Sequence, residues 1–450
     1  MTWPVVVAAR GPFQELLQIA RHYGTPTYAY DVSCLRRQVA DLQATFPAGV
    51  DVLYSLKANP SLGLCSLIAG WGLGADVASV GELLTALEAG FPAERILVGG
   101  PYKSPETLAY LRSLPEVLLS VDSLGELQVL ADQQQPFRVL LRLRPDFPSP
   151  AVVGMGPDSR FGIPYADLHR CRAYLTSSSA IKVIGFHVFS GSQVLDEAAL
   201  VRHLRGAVDL SLRAADVLGL VPRILNVGGG FGVPYGSEDQ ALNLNPIAQE
   251  LSRLLERVSP AQLVLELGRY LVAQAGWYLT TVATCQGDGR RQTVVVDGGI
   301  HQRADLCGLG LRTHALPPLA LSARAPLPGE AISSEVRAVD GIPGSNDENH
   351  TSLPTSVWGC LCLPDDVLVE ACALPRLATG DVLAFPNAGA YGLSASPALF
   401  LSHPAPAEVA FDGMLMELLR SRQATRAIVE GQERLRHIRA GIEQSPVAQE

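Results

Sequence analysis

Lys57 closes a mostly apolar run, Val50–Leu56, within the segment Tyr54-Ser-Leu-Lys-Ala-Asn59. Such a run reads as a buried strand. An ammonium at its end either snorkels to solvent or is held in a site. Burial without a partner is costly, and the expected escape is a lowered pKa. A lysine in that state condenses readily with an aldehyde to give a Schiff base. Asn226-Val-Gly-Gly-Gly-Phe-Gly232 follows a second apolar run. Consecutive glycines turn backbone N–H groups toward an anion with no Cβ in the way. An ordinary tight turn has the same composition. Glu266-Leu-Gly-Arg269 follows a third run. Glycine and arginine there suit a phosphate, and Glu266 is a carboxylate at the same place. In isolation Glu266 reads first as a surface ion pair, and the Cys362 thiol as a small core residue.

The elements that position these groups alternate. Between about Ser33 and Gln286, strand-like runs at Val50–Leu56, Ala75–Ala78, Ile96–Val98, Leu118–Val121, Val139–Leu143, Val183–Phe189, Ile224–Val227 and Leu263–Leu265 are separated by longer segments, the first four followed by clear helical patterns. The class is α/β, and this count and span predict a (β/α)8 TIM-like barrel with strand C-terminal ends facing the site. Lys57, His187, Gly228–Gly230 and Glu266 all fall at such ends. After Gln286 the pattern changes to strands, at Thr293–Asp297, Val367–Leu374, Asp381–Phe385 and Glu408–Phe411, which predicts a second, mostly β domain. The expected division is a barrel over residues 33–286, a β domain from 1–32 and 287–413 that completes the site, and a helical extension over 414–450. Leu321–Leu353 reads as a long loop.

With 450 residues, 48% of them hydrophobic, the chain has room for two domains. A net charge of −9 argues against a nucleic-acid or anionic-membrane surface. No run is long and apolar enough to span a membrane. Met1–Gly11 lacks the apolar core of an export signal, so a cytoplasmic location with reduced thiols is expected. Of the eight cysteines only Cys360 and Cys362 lie close together, and Cys-x-Cys is too tight for the usual zinc pair, so no metal site is expected.

Taken together and in order, several motifs become specific. They are Tyr54-Ser-Leu-Lys-Ala-Asn59, Asp76-Val-Ala-Ser-Val-Gly-Glu82, Gly185-Phe-His-Val-Phe-Ser-Gly-Ser-Gln193, Gly228-Gly-Gly-Phe-Gly232, Glu266-Leu-Gly-Arg269, Cys362 and Gly389-Ala-Tyr391. From about Thr25 to Pro404 the chain resembles the fold-type III pyridoxal-phosphate decarboxylases, the group of diaminopimelate and ornithine decarboxylases. The resemblance implies pyridoxal 5'-phosphate carried on Lys57, with Glu266 at the pyridine nitrogen so that the ring accepts electrons. It implies a phosphate held by Gly229, Gly230, Gly268, Arg269, Ser192 and Tyr391, and Asp76 supporting the lysine and ring. His187 and Phe189 would line the ring. It also implies a homodimer with shared active sites, in which Cys362 enters from the partner subunit as proton donor.

Departures from the family pattern concern the substrate end. Phe189 stands where family decarboxylases stack a histidine, and a phenyl ring carries neither charge nor donor. Leu363 replaces an acidic residue that reads the distal end of the substrate. After Asp297-Gly-Gly299, Arg303 fits the family's arginine slot, and Cys307 stands at its tyrosine slot. These departures resemble a narrower biosynthetic-cluster branch. That branch includes a butirosin-pathway decarboxylase of a glutamyl group on an acyl carrier protein, and exosortase-associated homologues. The expected activity is α-decarboxylation of a small-molecule amino acid, or of an aminoacyl group on an acyl carrier protein. The alternatives are a diaminopimelate-, ornithine- or lysine-type decarboxylase, an amino-acid racemase of the same barrel class, and a catalytically silent homologue. A racemase gains little from Glu266, because it needs no strong electron sink.

Overall fold

The computed structural model describes residues 12–149, 151, 153–236, 238–307, 316–321, 352–413 and 415–434. Eight parallel strands close into a barrel: Val50–Ser55, Gly74–Val77, Ile96–Val98, Leu118–Val121, Phe137–Arg142, Ile181–His187, Ile224–Gly229 and Gln262–Leu267. These are called the first to eighth barrel strands below. Helices cover the outside, among them Leu62–Gly70, Val80–Glu88, Pro105–Arg112 and Leu124–Ala131. Ser79, Ser104 and Ser123 cap three of them by accepting a backbone N–H of the first turn.

The period of two along each strand sorts the barrel interior into layers. Leu53, Leu97, Leu118, Leu140, Ile184 and Val264 form a buried apolar cluster inside the barrel, with Ile224 packed against it. Two residues further along the same face stand Ser55, Ser120, Arg142, Asn226 and Glu266. The strands thus carry an apolar plug toward their N-terminal ends and polar side chains at their C-terminal ends. Register then fixes which polar groups are neighbours. Ser55 pairs with Asp76, Arg142 with His187, and His187 with Asn226. A cavity of about 430 Å³, lined by Asp51, Arg95 and Arg138 among others, opens near the strand N-termini and reaches Asn226 at the floor of the polar layer.

The second sheet follows the order Val367–Leu374, Leu353–Trp358, Gln292–Val296, Gly276–Gly287, Thr27–Asp31, Ala407–Asp412, Leu415–Arg420. Val382–Phe385 joins Gly276–Gly287 and carries Leu319–Leu321. Two sequence expectations are corrected here. Gly276–Gly287, placed with the barrel by the boundary at 286, is a strand of this second sheet, where it pairs with Thr27–Asp31, Gln292–Val296 and Val382–Phe385. The helical extension expected over 414–450 gives way to the strand Leu415–Arg420. That strand folds back antiparallel on Ala407–Asp412 through Gly413, at φ 57°, and an ion pair between Arg420 and Glu408 ties it down. Residues 435–450 lie outside the described residues. The same holds for 322–351, most of the expected loop, whose ends Leu321 and Leu353 belong to strands.

Leu97 is fully buried in the apolar plug, so Leu97→Ala should cost about 2–5 kcal/mol. A chemical-denaturation midpoint indistinguishable from that of the parent chain would contradict the plug's role in holding the strands together.

Candidate active site

Lys57 lies in the short turn Leu56–Ala58 that follows the first barrel strand. Its Nζ is 3.0 Å from Asp76 Oδ2, and its side chain keeps 44% of its surface accessible. Ser55 donates to the same carboxylate oxygen. Burial acts to lower the lysine pKa, but Asp76, then Glu266 and Tyr391, outweigh it and raise the pKa above the ordinary lysine value. This corrects the expected lowering: the strand end supplies a carboxylate at contact distance, and a close opposite charge favours the charged amine. Phe189 faces the amine, with its ring centroid 5.8 Å from Nζ.

Glu266, at the C-terminal end of the eighth strand, is only 5% exposed. Asn226 Nδ2 donates to its Oε1 at 2.8 Å, and His187 Nε2 lies 3.3 Å from the same oxygen. Burial acts to raise its pKa. The neighbouring His187, then Lys57 and Asn226, outweigh that and hold the carboxyl below its usual range. The other ring nitrogen of His187, Nδ1, shares a 2.7 Å hydrogen bond with Ser120 Oγ. His187 is therefore more than a wall residue, because it joins the fourth, sixth and eighth strands.

The phosphate candidates gather beside this cluster. Arg269 is buried, and its Nη1 donates to Tyr235 Oη at 2.9 Å, while Nε and Nη2 have no partner. Its guanidinium carbon sits 4.6 Å from the Tyr391 ring centroid. Tyr391, at φ 54°, donates its backbone N–H to Ala58 O at 2.7 Å. A left-handed conformation is strained for a tyrosine, and here it brings one residue against both the lysine turn and the arginine. A Cβ on Gly229 would lie 1.9 Å from Glu266 O, and one on Gly230 would lie 2.3 Å from Gly191 O. Ser192, half-buried, follows that contact on the short strand Gly191–Ser192. A Cβ on Gly268 would meet the Ala58 and Ser55 side chains, so only glycine lets Arg269 come this close to the lysine turn.

The substrate-end candidates belong to the second sheet. Arg303 is 2% exposed and makes a two-pronged pair with Asp305, Nε to Oδ1 at 2.8 Å and Nη2 to Oδ2 at 3.0 Å. Cys362 is exposed and Leu363 is half-buried, on the loop between Leu353–Trp358 and Val367–Leu374. The hydrogen bonds that tie Lys57, Glu266 and Arg269 to their neighbours do not include either residue. Lys57, Asp76, His187, Phe189, Glu266, Arg269, Tyr391 and the glycines thus come together.

Sequence reasoning missed Ser55, Ser120, Asn226 and Tyr235. It also missed an ion network formed by Lys103 with Glu126 and by Arg142 with Asp122. For Ser55, Ser120, Asn226 and Arg142 a signal was available, since each stands two residues beyond an inward apolar residue of its strand. The cysteine spacing gave no metal set. Among the described residues the fold nevertheless gathers one group of metal-ligand type, His301, Cys360 and His403.

The polar layer can hold an aldehyde on an amine, a protonated ring nitrogen opposite a carboxylate, and an anion on a guanidinium with two free donors. Pyridoxal phosphate fits all three, and the unpartnered buried nitrogens of Arg269 are where its phosphate would bind. Fold and site together define a fold-type III pyridoxal-phosphate enzyme. The family model "Pyridoxal-dependent decarboxylase, pyridoxal binding domain" matches residues 32–273, and the chain belongs to that family. It is a pyridoxal-phosphate-dependent carboxy-lyase. Over 430 residues it is 32% identical to an L-glutamyl-[BtrI acyl-carrier protein] decarboxylase of Niallia circulans, covering 93% of this chain and 96% of that one. It is 31% identical to diaminopimelate decarboxylase of Bacillus subtilis (strain 168), covering 84% and 85%. Diaminopimelate decarboxylase from Helicobacter pylori, solved with L-lysine, shares the fold at TM-score 0.78 and 24% identity, covering 92% of this chain and 98% of that one.

Attack on an aldehyde requires the neutral amine, and Lys57 is held protonated beyond the ordinary range. Uptake of pyridoxal phosphate by the cofactor-free protein should therefore accelerate as pH rises. Asp76→Asn removes a raising charge, so the acceleration should move to lower pH, by about 1–3 units for a close opposite charge. Borohydride-trapped incorporation measured against pH checks this, and an unmoved profile would show that Asp76 does not control the amine.

Proposed function

We propose that this chain removes the α-carboxylate of an aminoacyl group whose distal end is tethered to an acyl carrier protein, and that it acts as a homodimer with shared active sites. Bound pyridoxal phosphate supplies the electron sink that takes up the charge left when CO₂ departs. Lys57 would be the covalent anchor of the cofactor, and Asp76 is placed to pair with its amine whenever that amine is free. Glu266 holds a proton at the ring nitrogen. Arg269, with Ser192, Tyr391 and the backbone of Gly229, Gly230 and Gly268, holds the phosphate. Phe189 keeps water from one side of the lysine. Cys362 acts in the partner's site, where its thiol delivers a proton to the α-carbon. Its exposure on its own chain supports that role.

The observation that carries the substrate reading is Arg303. It fits the slot from which the family's diaminopimelate decarboxylases read the distal group, yet two of its nitrogens are committed to Asp305. Its Nη1 is buried without a partner, but a guanidinium already neutralised by a bidentate carboxylate has little net charge to offer a second anion, and a neutral acceptor suffices there. Leu363 adds an apolar residue where the family's diamine-forming members carry an acid. An uncharged distal linkage, such as the thioester of a carrier-bound group, leaves no charge unpaired there. The relative named as a glutamyl-carrier-protein decarboxylase supports the same reading.

CO₂ release should be faster with aminoacyl carrier proteins than with free ornithine, lysine or meso-diaminopimelate. A kcat/KM above roughly 10⁴ M⁻¹s⁻¹, the low end for competent enzymes, on any of those three free amino acids would refute the pocket reading. A second measurement addresses the dimer. Lys57→Ala and Cys362→Ala should each be inactive, and mixing them should restore activity, because one site of a mixed dimer then has both residues. No recovery after verified subunit exchange would place Cys362 outside the shared site.

A further inference from the structure

We propose that His301, Cys360 and His403 form a binding site for a zinc-class divalent cation, outside the pyridoxal site. The ligand atoms of the three side chains all lie within 4.8 Å of one another. Tetrahedral zinc with bonds of about 2.0–2.3 Å spaces such atoms by roughly 3.3–3.8 Å, so small side-chain rotations close the shell. Two imidazole nitrogens and a thiolate match a borderline-soft cation better than calcium or magnesium, which take oxygen.

His301 is the independent evidence for a ligand. It is 1% exposed, and both of its ring nitrogens are buried without a hydrogen-bond partner. A neutral imidazole carries one donor and one acceptor, and leaving both unmet inside a protein costs free energy that a ligand recovers. Its ring centroid is 4.9 Å from that of His403 at an angle of 43°, so the two rings converge without hydrogen bonding to each other.

The backbone holds the three ligands in place. Cys360 N donates to Gly298 O at 2.9 Å, and Ile300 N and Leu361 N donate to the two oxygens of Asp366 at 2.8 Å each. Gln302 Nε2 donates to Pro404 O at 3.1 Å, which brings the His403 segment alongside. Every ligand therefore has a chain neighbour fixed by one of these bonds, and the site is preorganised. The group supplies three protein ligands, and the fourth coordination position falls to water. On binding, the Cys360 thiol releases its proton to solvent as the metal–sulfur bond forms. The cation would brace the loop 359–366, which carries Cys362, against the turn after Gln292–Val296 and the segment before Ala407–Asp412.

The test uses the full chain with its cofactor, equilibrated with zinc, freed of excess by dialysis and assayed by mass spectrometry. A second sample loaded with Co²⁺ is read by its visible ligand-field bands. One zinc per chain and tetrahedral cobalt bands are expected. Cys360→Ser and His403→Ala, each shown by circular dichroism and cofactor content to be folded, should weaken zinc binding at least tenfold. Cys362→Ser should retain it. No zinc retained by the parent chain, or zinc retained equally by both ligand variants, overturns the site. Loss of zinc from Cys362→Ser with retention by Cys360→Ser would do the same. Metal content is read without turnover, so the result stands apart from the decarboxylase reading.

Discussion

A carboxylate inside the barrel mouth is the constraint around which the structure is organised. Glu266 is nearly out of solvent and still held in its charged form. A buried charge survives only with partners of good geometry, because desolvation costs several kcal/mol per ion (on the order of the loss from breaking a buried pair). Asn226 and His187 come from the neighbouring seventh strand and the sixth, and parallel register sets them at the same height. Ser120, on the fourth strand, bonds to His187 and fixes its ring. Closure of the barrel is therefore an electrostatic requirement as well as a packing solution, because an open sheet would not bring the fourth, sixth and eighth strands around one carboxylate.

The same mouth holds positive charge in reserve. Arg269 is buried with two donors unmet, a cost that a bound phosphate offsets. Its Tyr235 and Tyr391 neighbours shield it without neutralising it. The glycines of the seventh strand and Gly268 let the backbone approach where any Cβ would collide. Binding strength for the cofactor is thus built from groups whose own needs the folded chain leaves unsatisfied.

How much of this is legible in the sequence follows from distance along the chain. Lys57, the glycines, Glu266 and Arg269 announce themselves because each sits at the end of an apolar run, and eight such runs define the barrel. Asn226 and Ser120 are harder, since their value lies in side-chain bonds to Glu266 and His187 on other strands, 40 and 67 residues along the chain. Leu415–Arg420 misleads for another reason. Leu, Met, Glu and Arg are good helix formers, but the partner strand Ala407–Asp412 decides the outcome, as strand preference is largely a matter of what lies alongside. Asp412-Gly413 was the available signal, an Asp-Gly pair that suits a tight hairpin. His301, Cys360 and His403 were not legible, because they come from three separate stretches whose meeting depends on the folded second sheet.

The lysine shows why local reasoning about charge fails at a site. A lysine at the end of a buried strand suggests a depressed pKa if its surroundings are apolar, and here they are not, because Asp76 stands one strand away in register with Ser55. The barrel thus commits its charges to holding the cofactor and its proton. In the second sheet Arg303 is tied to Asp305, and the 359–366 loop projects Cys362 to solvent. The two sets of charges are thus separate in the fold: a change at Arg303 or Asp305 touches none of the hydrogen bonds that hold the buried carboxylate of Glu266.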